Sequence, residues 1–218
     1  MKARLLVAAA IAGAAWAGLS GPAAAQNGDA AMTFFITSVG MGNGGDLGGL
    51  AGADAYCQSL AEAAGAGSHT WRAYLSTIMD DSGPGENARD RIGEGPWHNA
   101  AGVQIAADLD ELHSDAANIN KETALNENGG LVNGRGDEPN EHDILTGTKQ
   151  DGTVADEGTC ANWTSSSDDA TAAVGHHDLV GNPAGINFWN YSHSTAGCSQ
   201  DALVRTGGAG LLYCFAID

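Results

Sequence analysis

Four cysteines constrain the fold of this chain more than any other feature: Cys57, Cys160, Cys198 and Cys214. No two of them form a Cys-x-x-Cys pair, so neither a zinc ribbon nor a thioredoxin-like redox site is expected. In an exported protein an even number of cysteines implies disulfides, here two. Four cysteines allow three pairings, and their spacing does not choose among them.

The N-terminus has the pattern of a secretory signal. Lys2 and Arg4 precede an apolar run over residues 5–19, and small residues at 23–25 offer a cleavage site before Gln26. The run is too short to span a membrane comfortably, and no second apolar stretch follows it. We therefore predict a signal peptide over residues 1–25, one domain over 26–218, and a secreted or periplasmic location, with no membrane span.

The expected mature chain is strongly acidic. Removal of Lys2 and Arg4 reduces nine basic residues to seven against 27 acidic ones, which gives a formal net charge of −20. Binding to nucleic acid or anionic lipid depends on basic residues that neutralise phosphates. We therefore expect no nucleic-acid partner. The charge fits a solvated acidic surface, cations or basic partners.

Local patterns predict an α+β domain with few regular elements and much irregular chain. An apolar stripe at helical spacing predicts a helix over Ala53–Ala64. A short helix is predicted over Ile105–His113, with Asp108 as a candidate N-cap. The strand candidates are Met32–Ser38, Trp71–Ile78, Asn87–Ile92 (strand or turn), Ala161–Ser166, Gly185–Tyr191 and Gly210–Ile217. The polar stretch Ser114–Thr159 is predicted to be one long loop that forms a contact surface.

Two blocks of sequence resemble the endostatin branch of the C-type-lectin-like fold. The first is Gly-Ala-Asp-x-x-Cys ending at Cys57, followed by the Trp-Arg-Ala-Tyr-Leu-Ser segment at 71–76. The second has Cys160-x-x-Trp163, Cys198 and Leu-Tyr-Cys at 212–214 in the order of that family. The resemblance covers most of the chain from 34 to 215. It implies a twisted, mainly antiparallel sheet with two short helices, long loops and two disulfides.

The resemblance also implies a nested disulfide pairing, Cys57 with Cys214 and Cys160 with Cys198.

Two properties of the endostatin family, heparin binding and zinc binding, are not expected in this chain. Endostatin binds heparin through arginines, and this chain has too few basic residues for us to expect heparin binding. Endostatin's zinc site uses histidines near its mature start, whereas the first histidine here is His69.

A calcium site is one candidate function. Glu138-Pro139-Asn140 matches a triplet that supplies calcium ligands in sugar-binding C-type lectins, and Trp189-Asn190 lies eight residues before a cysteine as in those lectins. Calcium prefers six to eight oxygen ligands. The predicted set is Glu138, Asn140, Glu141, Asp143 and Asn190. Tyr191 stands where those lectins have aspartate, and a chance triplet in an acidic loop is the competing interpretation.

The histidines give weaker signals. His176-His177-Asp178 could offer an imidazole and a carboxylate to a metal, but adjacent residues on a strand point to opposite faces. We therefore interpret this stretch as a solvated loop. The remaining candidates, His98, His113, His142 and His193, are scattered singly. Spacing does not assemble them into a catalytic triad, and no Gly-x-Ser-x-Gly elbow is present.

Aromatic residues and a tripeptide motif complete the candidates. Trp97 and Trp189 are either surface residues that stack on a ligand or part of the core. Residues 135–137 spell Arg-Gly-Asp, which we interpret as turn chemistry rather than as an adhesion motif.

The sequence favours a non-catalytic binding module that recognises an extracellular glycan or protein. Two alternatives are a calcium-dependent carbohydrate-binding lectin and a structural envelope or matrix component without a small-molecule ligand. No resident cofactor is predicted apart from calcium in the lectin alternative. An enzyme is not expected, because the sequence assembles no nucleophile, base and oxyanion donors.

Overall fold

The structure is a computed structural model that describes residues 31–81 and 83–218. The predicted signal peptide, residues 1–25, lies outside the described residues. Within them the fold is a mixed α+β arrangement with a six-stranded sheet, a two-stranded sheet, four helices and two disulfides.

The regular elements are short apart from one helix and one strand. The strands are β1 (Phe34–Ile36), β2 (Trp71–Ala73), β3 (Trp97–His98), β4 (Gln104–Ala106), β5 (Asp143–Leu145), β6 (Ala173–His176), β7 (His193–Ser194) and β8 (Gly208–Ala216). The helices are α1 (Gly49–Ala63), α2 (Leu109–Leu112), α3 (Cys160–Trp163) and α4 (Gln200–Thr206). Residues Ala88–Asp90 form a 3-10 turn.

The long strand β8 organises the larger sheet, whose order is β1-β8-β5-β6-β7. The C-terminal part of β8 pairs antiparallel with β1 and with β2, and its N-terminal part pairs parallel with β5. The β5–β6 and β6–β7 pairs are antiparallel. The arrangement therefore places β5, β6 and β7 side by side at one end of the sheet. Strands β3 and β4 form the second sheet.

Alternation along the strands divides the core between two faces. Phe35, Leu145 and Leu212 belong to the buried cluster that includes residues of α1. Their neighbours Phe34 and Ile144 belong to a second buried cluster. Successive side chains of a strand point to opposite faces of a sheet, so a three-residue strand such as β1 contributes to both clusters.

The disulfides link Cys57 on α1 to Cys214 on β8, and Cys160 to Cys198. Of the three pairings that the sequence left open, this is the nested one expected from the endostatin resemblance. The outer link joins positions 157 residues apart and the inner one positions 38 apart. The described residues contain no free cysteine.

Several local predictions agree with the structure. The predicted strands at Met32–Ser38 and Trp71–Ile78 contain β1 and β2, the predicted strand at Gly210–Ile217 overlaps β8, and the predicted first helix overlaps α1. The side chain of Asp108 accepts a hydrogen bond from the backbone N–H of Glu111, as expected for an N-cap.

Other predictions are wrong. No strand forms within Gly185–Tyr191, and the stretch Ser114–Thr159 is not a single loop, because it contains the buried central strand β5. The strand predicted over Ala161–Ser166 does not form, because Cys160–Trp163 make a left-handed turn with φ values of 46°, 52°, 56° and 65°.

Hydrogen bonds from Asn162 stabilise that left-handed turn. Its side-chain oxygen accepts from the backbone N–H of Ile78, and its side-chain N–H₂ donates to the carbonyl of Ile78 and to the carboxylate of Asp80. The amide therefore pairs with the backbone of Ile78 as a neighbouring strand would. The indole N–H of Trp163 donates to the carbonyl of Ser76, which fixes the other end of the turn.

Candidate metal centre

Three imidazole rings converge on one carboxylate at the end of the larger sheet. Oδ1 of Asp143 lies 3.2 Å from Nε2 of His142, 3.1 Å from Nε2 of His176 and 3.5 Å from Nε2 of His193. The Nε2 atoms of His176 and His193 are 2.9 Å apart. The donor atoms of His142, Asp143 and His176 all lie within 4.8 Å of one another. Four potential ligand atoms therefore surround one small volume.

Strand pairing creates this convergence. Asp143 is the first residue of β5, and its direct cross-strand partner on β6 is His176. His193 on β7 pairs with Val174, which lies two residues from His176 and therefore on the same face of β6. His142 precedes β5 and reaches the carboxylate of its own neighbour. One face of three adjacent strands thus carries Asp143, His176 and His193, and His142 joins them from the residue before β5.

Two glycines allow close packing around this cluster. A Cβ on Gly207, at the C-terminal end of α4, would lie 3.3 Å from Nε2 of His142 and 3.0 Å from Nδ2 of Asn140. A Cβ on Gly175 would lie 1.9 Å from the carbonyl oxygen of Trp189. The absence of side chains at these positions lets the end of α4 and the segment before β7 pack closely around the histidines.

The cluster is buried except for one ring. The side chains of His142, Asp143 and His176 are only 1–2% exposed, whereas that of His193 is 31% exposed. Among the described residues, neither carboxylate oxygen of Asp143 has a hydrogen-bond partner. A buried, unpaired carboxylate is costly by several kcal/mol. An acceptor nitrogen that faces a carboxylate oxygen repels it, and only a proton or a cation between them makes the contact attractive.

The outer nitrogen of each ring has its own partner. Nδ1 of His142 lies 3.3 Å from Oδ1 of Asp178, and Nδ1 of His176 lies 3.3 Å from Oδ1 of Asn187. Nδ1 of His193 lies 3.2 Å from the carbonyl oxygen of Ser194. These oxygens accept hydrogen bonds, so they favour the tautomer with hydrogen on Nδ1 and a lone pair on Nε2. Metal-ligating histidines have this arrangement in proteins.

Asp178 is well suited to its role as an outer partner. Burial alone would raise the pKa of its carboxyl, but the hydrogen bonds from His142 and from the backbone N–H of Arg135 outweigh burial and lower the pKa to about 2. Its second oxygen accepts from that N–H of Arg135 at 2.7 Å. Asp178 is therefore an anion over the whole physiological pH range, and it orients the ring of His142.

The known distances between the donor atoms are close to those around a tetrahedral ion. Zinc bonds histidine nitrogen and carboxylate oxygen at 2.0–2.2 Å, which separates neighbouring ligand atoms by about 3.3 Å. The four distances given above, between 2.9 and 3.5 Å, lie near that value. The donor atoms of His142, Asp143 and His176 form the mutually close set, and His193 joins it through Asp143 and His176. A set of imidazoles with one carboxylate suits zinc, copper or nickel, whereas calcium prefers an oxygen-rich set.

The residues predicted to bind calcium lie in different surroundings. Asp143 belongs to the histidine cluster, whereas Glu138 is exposed and Glu141 is half-buried, with a pKa raised by burial. Asn140 is half-buried; its Oδ1 lacks a hydrogen-bond partner, and its Nδ2 lies beside Gly207 near His142. The side chain of Asn190 is buried, and its Nδ2 donates to the hydroxyl of Tyr74 and to the carbonyls of Lys149 and Gln150.

Both candidate stacking residues belong to the core. Trp97 is 1% exposed and Trp189 is 5% exposed, and the two are part of the same buried cluster. Their indole N–H groups donate to the carbonyls of Ala216 and Leu112. The surface interpretation of these tryptophans is wrong, because their rings are packed among other aromatic side chains.

The Arg-Gly-Asp tripeptide is tied into the fold. The carboxylate of Asp137 pairs with the ammonium of Lys121 and accepts from the backbone N–H of Gly134. The pairing with Lys121 lowers the pKa of Asp137. The backbone of Arg135 holds Asp178, as described above. The side chain of Asp137 and the backbone of Arg135 thus have structural partners.

Sequence reasoning missed the cluster at two points. The stretch 176–178 is not a solvated loop, since His176 ends β6 and both histidines are buried. The two rings do have separate partners, because Nε2 of His177 contacts the carbonyl of Asn133. The sequence spacing of His142 and His193 also does not show that these two side chains lie next to His176. One sequence pattern could have predicted the cluster. His142 and Asp143 directly precede the apolar pair Ile144-Leu145, which places two potential metal ligands at the start of a buried strand.

No protein-family model matches the chain, and a search of curated proteins finds no relative. In the part of the chain that the structure describes, no helix has the length and apolar character needed to cross a bilayer.

Proposed function

We propose that this protein is an exported binding module whose ligand is a divalent transition-metal ion of the zinc class, held by His142, Asp143, His176 and His193. The convergence of three Nε2 atoms on one buried, otherwise unpaired carboxylate oxygen supports this most directly. A divalent cation at that point would satisfy all four groups at once and replace repulsion between lone pairs with coordination.

The wider proposal is a non-catalytic domain of the endostatin-like, C-type-lectin-like kind that acts outside the cytoplasm on a glycan or protein. The nested pairing of Cys57 with Cys214 and of Cys160 with Cys198 supports it, as does the mixed α+β sheet. Disulfides persist in oxidising compartments, which supports export. Bound metal would stabilise the three strands β5–β7 that present the adjoining surface.

Metal titration of the disulfide-bonded protein tests the proposal. We expect one zinc ion per chain by calorimetry and metal analysis. We also expect thermal stabilisation that grows with metal concentration, by about 2.7 kcal/mol at a free concentration 100 times Kd. Calcium at millimolar concentration is expected to give no such stabilisation. Calcium binding in place of zinc would favour the lectin alternative.

Two variants and one control locate the ion. Asp143→Asn and His176→Gln keep the approximate size of each side chain but weaken or remove a ligand, so stoichiometric zinc binding should be lost. His98→Gln is the matched control, because His98 lies on β3 in the separate two-stranded sheet. Equal zinc binding by wild type, Asp143→Asn and His176→Gln would contradict the proposed site, as would wild type without stoichiometric binding.

A further inference from the structure

The four ligands of the proposed centre differ in how firmly they are held. His142 is fixed through Asp178, whose two carboxylate oxygens also accept from the backbone N–H groups of Arg135 and Val180. His176 is fixed through Asn187, whose Oδ1 also accepts from the backbone N–H of Asn182. Each of these rings is therefore oriented by a side chain that the surrounding loop holds in place.

His193 has no comparable support among the described contacts. Its Nδ1 contacts only the carbonyl of Ser194, the next residue in the chain. It lies on β7, a strand of two residues at the end of the strand order β1-β8-β5-β6-β7. Its side chain is 31% exposed, whereas the other three ligands are 1–2% exposed. Apart from its contacts with Asp143 and His176 in the centre itself, rotation of this ring would break the contact with the carbonyl of Ser194 and would bring the ring further into solvent.

We propose, on the basis of the metal-binding function inferred above, that His193 is the exchange ligand of the centre. The ion enters and leaves on the β7 side when the ring of His193 rotates out. His142, Asp143 and His176 then retain the ion while its fourth position opens to an external donor. The centre is thereby a site for exchangeable metal rather than for a permanently enclosed structural ion. Structural zinc sites are closed, and sites with three fixed protein ligands keep a position available.

The net charge of the chain favours the approach of cations in general. The mature chain expected from the sequence has a formal net charge of −20, and such a field concentrates cations near the surface. An ion that reaches β7 meets one partly exposed imidazole before it meets the buried carboxylate. External ligands that could take over the fourth position are those with imidazole or carboxylate donors, which suit the same class of ion.

Release kinetics test the inference. Zinc-loaded protein is mixed with a chromogenic chelator in excess, and the release rate is compared among wild type, His193→Ala, His176→Ala and the control His98→Ala. We expect His193→Ala to bind one zinc ion per chain and to release it at least about tenfold faster, because one ligand of four is lost. His176→Ala is expected not to bind zinc stoichiometrically at micromolar concentration, and His98→Ala should match wild type.

Chemical rescue separates an accessible ligand from a buried one. Millimolar imidazole should slow zinc release from His193→Ala, because the vacated position faces solvent. It should also shift the visible spectrum of the cobalt-loaded variant. It should not restore binding to His176→Ala, whose position is enclosed. Circular dichroism confirms that each variant is folded.

The outcomes distinguish the two proposals. Wild type without zinc binding would remove the proposed function and this inference with it. Stoichiometric binding by wild type with an unchanged release rate in His193→Ala would overturn the exchange role alone. Loss of binding in folded His193→Ala without rescue by imidazole would likewise overturn it, since the ligand would then be as essential as His176.

Discussion

Asp143 and His176 are direct cross-strand neighbours on β5 and β6, and their side chains meet with Oδ1 and Nε2 only 3.1 Å apart. The contact is buried on both sides. Replacement of a buried ion pair by apolar residues of similar size often costs little stability. The presence of this pair beside two more imidazoles is therefore consistent with the metal site proposed above.

The outer partner Asn187 should control metal affinity. Asn187→Ala removes the oxygen that orients Nδ1 of His176 without removing any ligand. We expect zinc affinity to fall by about 10–100-fold, with one ion still bound per chain. Competition with a chelator of known affinity measures the change. Asn128→Ala, at an exposed asparagine, is the control and should leave the affinity unchanged; equal affinities in all three proteins would contradict the orienting role.

Gly175 should tolerate no side chain. A Cβ there would lie 1.9 Å from the carbonyl oxygen of Trp189, so the backbone itself would have to move. We expect Gly175→Ala to lower the free energy of unfolding by about 3 kcal/mol, at the upper end of overpacking effects. Denaturant unfolding measures it. At Gly83 an added Cβ meets no atom within 4 Å, so Gly83→Ala should have little effect. If Gly175→Ala were as stable as wild type, the backbone of residue 175 would not lie as close to the carbonyl oxygen of Trp189 as described here.

The ion pair between Arg91 and Asp54 should be a major contributor to stability. Nη2 of Arg91 lies 2.7 Å from Oδ2 of Asp54, and the Arg91 side chain is 5% exposed. Asp54→Asn leaves that guanidinium buried, with Glu86 at 3.6 Å as its remaining charged partner. We expect a loss of about 3 kcal/mol in the free energy of unfolding.

The exposed pair formed by Lys149 and Asp156 is the control for this prediction. Asp156 is 89% exposed, and the pair is screened by solvent. Asp156→Asn should therefore leave the unfolding midpoint unchanged. Similar midpoints for Asp54→Asn and Asp156→Asn would mean that burial does not strengthen the first pair.

His113 should make stability depend on pH. Burial lowers the pKa of its imidazole below the ordinary value of 6.5. Nδ1 lies 2.7 Å from the carbonyl of Leu109, so Nε2 accepts from the hydroxyl of Tyr74 at 2.7 Å. The stabilising contribution of neutral His113 is complete above pH 6.5 and is lost as the pH falls from there through the lower pKa of the folded state.

Unfolding experiments on wild type and His113→Gln between pH 7.5 and about 5 measure this effect. The stability advantage of wild type should shrink as the pH falls, because the glutamine side chain of the variant does not titrate. NMR titration of the His113 ring in the folded protein supplies an independent value. A ring that titrates at or above 6.5, or an advantage that grows in acid, would contradict the prediction.

Local patterns predicted the parts of the fold that depend on neighbouring residues. The apolar stripe that carries Cys57 predicted α1, and the apolar and aromatic residues around Tyr213 predicted β8. Both could be predicted because the buried positions of a regular element are occupied by apolar residues at a characteristic spacing. The left-handed turn at Cys160–Trp163 could not be predicted, since it depends on Asn162 pairing with the distant Ile78. The endostatin resemblance supplied the disulfide pairing, which spacing had left open.

The histidine cluster of the proposed metal centre was not predictable from local patterns for a related reason. His142, His176 and His193 become neighbours only through the pairing of β5, β6 and β7, which have three, four and two residues. Strands this short leave little periodic signal. The carboxylate was identified as a candidate ligand, but for calcium, because Asp143 follows a lectin-like triplet in the sequence.

The outer disulfide also determines what a proteolytic cut does to this molecule. A cut at an exposed position between Cys57 and Cys214, such as Leu131, leaves two polypeptides that the sulfur bridge still joins. The C-terminal piece would keep His142, Asp143, His176 and His193 together. Nicked molecules would therefore migrate as one species until a reductant separates them, and their metal ligands would survive the cleavage as a set.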